Sequence, residues 1–201
     1  MLPMKVKSFE VMRLSRAFYQ RDTKEVAKEL LGKILVRKTR EGITKGRIVE
    51  TEAYYGEEDP ASHAYRGKTK RSKIMWGKPG IAYVYFIYGN HYLLNVVTEA
   101  EHKAGAVLIR AIEPTEGLEL MKRRRNINNI RNLTNGPGKL TQAFDITIRD
   151  NGKDLTNSDI WIEEAKVKFE ISSSKRVGVS KDARENLRFY IKGNRFVSYH
   201  R

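Results

Sequence analysis

Cysteine is absent from the 201 residues. This excludes disulfides, thiolate metal sites and a thiol nucleophile, and it fits a reducing compartment. No run of about 18 apolar residues occurs, so no transmembrane helix and no membrane partner are expected. The opening MLPMKVKSFE lacks the apolar stretch and small-residue cleavage site of a secretory leader, and a cytoplasmic protein is expected. The four histidines form no HExxH or His-x-Glu pattern, so no catalytic metal is expected. Acidic residues are in deficit: 24 Asp and Glu face 39 Lys and Arg, a net charge of +15. Such an excess draws polyanions, nucleic acid among them. Ribosomal, membrane-surface and heparin-binding proteins share it, so charge alone does not choose.

What is present is enough for one domain with a proper core. No repeat, low-complexity tract or Pro/Ser linker divides the chain, so residues 1–201 are read as one domain. Asp22 and Glu25 resemble a capping box ahead of the apolar stripe Val26, Leu30 and Leu31, which ends at Gly32. This predicts a helix from about Thr23 to Leu31. Ile34–Lys38 and Gly46–Tyr54 read as strands joined at Arg40-Glu41-Gly42. A basic irregular stretch, Gly56–Gly80, precedes a hairpin of Ala82–Tyr88 and Tyr92–Thr98 with Gly89-Asn90-His91 at its tip. Ala106–Ile112 is a further strand. Pro114 and Thr115 are expected to start a helix running to Arg125, and Gly136-Pro137-Gly138 to precede a short one over Lys139–Phe144. Strands are expected near Trp161, at Val167–Ile171 and at Phe189–Lys192. The sum is an α+β fold: a curved, largely antiparallel sheet surrounded by short helices.

Five segments carry candidate chemistry. In a strand, Glu50, Glu52 and Tyr54 share one face, and carboxylates two residues apart lie roughly 7 Å from each other. That suits acid–base hydrolysis, though an alternating polar face opposite Lys or Arg is commonplace. The loop from Asp59 to Arg71, with His63 and Tyr65 among its cations, suits phosphate contact and base stacking; a plain surface loop would look the same. In Tyr83–Tyr88 most aromatics are expected in the core. Tyr88, beside the hairpin tip, is the candidate wedge between base pairs. Asn95 offers an amide for a base edge, a water or a structural hydrogen bond. Arg110 interrupts an apolar strand and needs a carboxylate or a phosphate. Gly136-Pro137-Gly138 exposes amides that suit an anion but lacks P-loop spacing. Lys122–Arg125 closes a helix, where positive charge complements the dipole, and is read as structural or as generic electrostatics.

The segments GRIVETEAYYGEEDPASHAYRGKTKR, PGIAYVYFIYGNHYLLNVV, AVLIRAIEPTEG, NGPGKLTQAF and RVGV strongly resemble the alkyladenine (3-methyladenine) DNA glycosylase family, in the family's order, over about residues 27 to 197. The resemblance implies a single-domain enzyme that flips alkylated or deaminated purines out of damaged double-stranded DNA and excises them without metal or cofactor, and a monomer is expected. It implies that Glu52 is the water-activating base and that Arg110 helps hold the water and the reaction centre. Tyr54, His63 and Tyr85 match residues lining the base pocket, Asn95 an asparagine beside it, and Tyr88 the wedge. Asn90 and His91 find no match. Breaking an N-glycosidic bond builds positive charge on the sugar, which a carboxylate stabilises while taking a proton from water. A cationic alkylpurine stacks well on tyrosine faces. The alternatives are a lysine-dependent lyase, a non-enzymatic nucleic-acid-binding module, and a carbohydrate hydrolase using Glu50 and Glu52.

Overall fold

The computed structural model describes residues 12–179 and 186–198. Its frame is one curled antiparallel sheet organised around a thirteen-residue strand, β2 (Gly42–Tyr54). The other strands are β1 (Ile34–Thr39), β3 (Ala82–Ile87), β4 (His91–Val97), β5 (Ala106–Glu116), β6 (Ile160–Glu163), β7 (Ile171–Ser174) and β8 (Arg188–Ile191). The spatial order is β3-β4-β5-β2-β1-β6. Along β2, β5 pairs with residues from Lys45 to Tyr54. The other edge is shared: β1 takes Gly42–Arg47 and β8 takes Glu50–Glu52, with β7 outside β8. A strand flanked on both edges and covered on one face needs apolar and β-branched residues at alternate positions. From Ile48 to Ala53 β2 is fully buried on both faces, with Ile48, Val49 and Ala53 in the main apolar core.

The helices are α1 (Arg16–Tyr19), α2 (Thr23–Leu30), α3 (Leu118–Arg125) and α4 (Pro137–Ala143). α2 starts where expected, with the Asp22 carboxylate accepting from the amides of Lys24 and Glu25. It lays Val26, Ala27 and Leu30 on the sheet, and Thr51 donates to its Ala27 carbonyl at 2.8 Å. Each buried Val or Leu there contributes about 1.5–3 kcal/mol. α4 begins two residues earlier than expected because Pro137 sits at its first position, where the missing N–H costs nothing.

Two expectations are corrected. Pro114 and Thr115 do not start a helix: β5 continues through them to Glu116. The register slips between Lys45 and Gly46, opposite Pro114, and a proline is tolerated in a strand at such an irregularity. The turn into α3 falls instead at Gly117, whose φ of 78° suits glycine and where a Cβ would come within 2.4 Å of the Ile43 carbonyl. The expected strand at Val167–Ile171 is displaced to Ile171–Ser174. The ladder with β8 runs from Ile171 to Ser174, and a bond from the Lys192 amide to the Glu170 carbonyl at 2.9 Å closes its end.

Candidate active site

β2 alternates as its sequence implies. Thr51 faces α2, while Glu50, Glu52 and Tyr54 meet one another's partners on the opposite side. Residues directly opposite in a ladder share a face, and the register lines up Tyr83, Asn95, Leu108, Glu52 and Arg188 across β3, β4, β5, β2 and β8. The site is therefore a row across five strands. Arg110 joins it through a bulge. Thr51 pairs with Ile109 and Glu50 with Ala111, which leaves Arg110 as the extra residue on β5, compensated by Val49 on β2. A bulge of this kind re-aims a side chain. Here it sets one guanidinium against two carboxylates, Nε donating to Glu50 at 2.9 Å and Nη1 to Glu52 at 3.3 Å.

Both glutamates are fully buried, but their surroundings differ. Glu50 Oε1 accepts from Arg110 Nε, from Arg188 Nε at 2.7 Å and from Ser198 Oγ at 2.7 Å; its Oε2 accepts from the Ser198 amide at 2.6 Å. Burial works to raise the Glu50 pKa, and Arg110, Arg188 and the Ser198 amide overcome it and hold the carboxyl below its ordinary value. Glu52 Oε2 accepts from the Tyr54 hydroxyl at 2.8 Å and from Arg110, and its Oε1 from the Val177 amide at 2.7 Å. Burial also opposes the charge on Arg110, and Glu52 and Glu50 outweigh it.

A cavity of about 530 Å³ opens against this cluster. Tyr54, His63, Tyr85, Tyr88, Asn95 and Arg110 line it, so six of the seven residues to which the family resemblance gives a role meet in one place. Glu52 lies one side chain behind the wall, and the three residues that donate to it, Tyr54, Arg110 and Val177, all belong to the lining. His63 Nδ1 is 2.7 Å from the Tyr83 hydroxyl, and its ring meets Tyr85 edge-on at 4.6 Å. Burial, with a smaller contribution from Arg71, holds the His63 pKa below the usual histidine value. Burial and the Glu52 charge push Tyr85 up to about 12. Burial, then Glu52, likewise raises Tyr54. These phenols stay neutral at physiological pH and offer uncharged aromatic faces. Asn95 donates to the Tyr83 carbonyl at 3.1 Å and so ties β4 to β3 within the row.

Tyr88 stands just beyond the end of β3, is 83% exposed and has a φ of 54°. Strict alternation places it with Val84 and Phe86, away from the pocket. The left-handed backbone instead swings it to the rim of the cavity that Tyr83, Tyr85 and Ile87 line. Across the rim, His91 packs on Gly138, where a Cβ would fall 2.7 Å from the imidazole. This close approach at the start of α4 explains the glycine between Pro137 and Lys139. The Lys122–Arg125 run is mostly engaged locally: Lys122 pairs with Glu119, and Arg123 and Arg124 with Glu41.

Sequence reasoning missed Tyr83 as a site residue, together with Ser198, Arg176 and the Val177 amide. Arg110's need for a partner was visible; Ser198 and Arg176 are brought in from 148 and 117 positions away from theirs. Among the described residues no group of three or more His, Asp or Glu stands placed to hold a metal ion, and no helix is long and apolar enough to cross a membrane.

The family model described as methylpurine-DNA glycosylase (MPG) matches residues 17–195. The chain belongs to this family. A protein of Prosthecochloris aestuarii is 51% identical over 189 residues, covering 92% of this chain and 91% of its own. One from Chlorobium phaeobacteroides is 51% identical over 184 residues, covering 90% and 94%. One from Clostridium botulinum is 48% identical over 202 residues, covering 93% and 99%. All three carry the provisional name of 3-methyladenine DNA glycosylase.

Proposed function

We propose that this methylpurine-DNA glycosylase family member excises alkylated or deaminated purines from duplex DNA by base flipping and Glu52-assisted hydrolysis, leaving an abasic site. The observation that carries the reading is the Glu52–Arg110–Tyr54 cluster, with Tyr54 and Arg110 in the wall of an aromatic cavity and Glu52 directly behind them. A purine turned out of the stack would lie between Tyr54 and Tyr85 with His63 at its edge, and Tyr88 would occupy the gap left in the helix. A cationic alkylpurine gains cation–π attraction from those rings. As the bond to the sugar breaks, the developing positive charge would face the Glu52 carboxylate. Water held by Arg110 would give Glu52 its proton once the Tyr54 hydroxyl yields Oε2. The net charge of +15 supplies the attraction to phosphate that precedes recognition.

One observation favours a second reading. Lys139 lines the same cavity, and burial with Arg125 lowers its pKa, as a Schiff-base lyase would require. Single-turnover excision from duplexes carrying 3-methyladenine, 7-methylguanine, hypoxanthine or ethenoadenine tests the first reading. Borohydride trapping on the same duplexes tests the second. Excision with no trapped adduct, lost on Glu52→Gln, supports hydrolysis; a trapped adduct lost on Lys139→Ala would replace it.

A further inference from the structure

Arg176 contributes nothing to the cavity lining, yet it touches the surroundings of two site residues at once. It is buried, and its guanidinium makes a two-point pair with Asp59, Nη1 to Oδ2 at 2.6 Å and Nη2 to Oδ1 at 2.7 Å. Nη1 also donates to the Ala53 carbonyl, on the peptide that leads into Tyr54, at 2.9 Å. The planar group lies 4.6 Å from the centre of the Tyr54 ring. The next residue, Val177, directs its amide onto Glu52 Oε1. Asp59 in turn accepts from the amides of Tyr55 and Ala61, two residues ahead of His63.

We infer that Arg176 is a positioning residue of this active site, fixing the Tyr54 ring and the Glu52 carboxylate together through its fork to Asp59 and the Val177 amide. The inference rests on the proposed glycosylase reading. Three geometric facts set the role. A guanidinium offers a flat face and two parallel donors, which an ammonium does not; the face meets Tyr54 while the donors meet Asp59 and Ala53. The two-point pair with Asp59 holds the guanidinium against Tyr54, so its effect is on placement. And the fork joins the loop after β2 to the loop after β7, the two segments that carry the pocket's His63 and Val177.

The test is Arg176→Lys, which keeps the charge and loses the plane and the fork, with Asp59→Asn breaking the same fork from the other end. Folding is checked by circular dichroism and melting temperature, and only folded protein is assayed. Small misplacement of reacting groups costs on the order of 10 to 100-fold in rate. Single-turnover excision should fall by that amount in either variant, while affinity for a damaged duplex changes within about threefold, as for a contact felt only in the transition state. Because the effect passes through Glu52, Arg176→Lys should remove far less from a Glu52→Gln background than from the wild-type protein. Folded variants of lower melting temperature but wild-type excision would make the pair a structural brace and overturn the inference. So would an affinity loss as large as the rate loss. A fully active Glu52→Gln would instead sink the underlying glycosylase reading, so the two failures are distinct.

Discussion

Glu50→Gln and Glu52→Gln ask whether two buried carboxylates on one strand face do different work. Glu50 is fully buried and accepts from two guanidiniums, a hydroxyl and an amide. A glutamine there keeps one accepting oxygen, turns an NH2 toward a donor and leaves Arg110 and Arg188 short of a counter-charge. Breaking a buried ion pair from one side costs about 3–5 kcal/mol. For a chain of this size each kcal/mol moves the melting temperature by about 2–4 °C, so the drop should be roughly 6–20 °C. The excision rate of the folded fraction should suffer less, through a loosened Arg110. Glu52→Gln should reverse the balance, losing on the order of 100 to 10,000-fold in single-turnover excision with a smaller change in melting temperature. The pH dependence follows in sign. Glu50 titrates below its ordinary value in the fold, so its stabilisation is complete above the unfolded value, about 4.3, and is lost as pH falls through the folded one. The stability gap between wild type and Glu50→Gln should therefore be widest near neutrality and close in acid. A Glu50→Gln protein with wild-type melting behaviour and no activity would show that the two roles have been exchanged.

Tyr88→Ala should cut excision from duplex DNA much more than from single strands, where there is no gap to fill. Since Tyr88 is 83% exposed, stability should move within about 0.5 kcal/mol, and a collapse of the fold would refute its exposed placement. Binding to undamaged DNA should weaken linearly on a log–log plot against salt; a flat response would contradict an electrostatic approach. His63 has a depressed pKa, so the unfolded chain binds its proton more readily, and the stability His63 confers should shrink as pH falls below about 6.5. The difference in urea midpoint between wild type and His63→Gln should thus be smaller at acid pH than at neutral pH, and an unchanged difference would oppose the burial argument.

Much of the site was legible wherever local periodicity decides geometry. The period of a strand put Glu50, Glu52 and Tyr54 on one face, and they are there. An arginine in an apolar strand demanded a counter-charge, and Arg110 has two. A ring beside a glycine tip had nowhere to be buried, and Tyr88 is exposed. What stayed hidden depends on contacts between distant segments. A bulge at Arg110 is a slip of register between two strands, and neither strand's own pattern records it. Ser198 sits in a segment that nothing in its composition sets apart, and the RVGV segment that holds Arg176 and Val177 carries the family resemblance but gives no partner for either. Tyr83 reads as a core aromatic and is buried, yet its ring lines the cavity and its hydroxyl lies 2.7 Å from His63 Nδ1. Pro114 misled because proline opens helices more often than it continues strands.

The shared edge of β2 has a consequence in time. A chain is made from its N-terminus, and Glu50 emerges 148 residues before Ser198 and 138 before Arg188. During that interval β1 and β5 can assemble around β2 and bring Arg110 to Glu50, but the edge beside Glu50 and Glu52 stays open, without the bonds from Arg188 and Ser198. Desolvating Glu50 then would cost several kcal/mol. The full set of Glu50 partners therefore waits for the last residues of the described chain, long after the strand that carries Glu50 has been made.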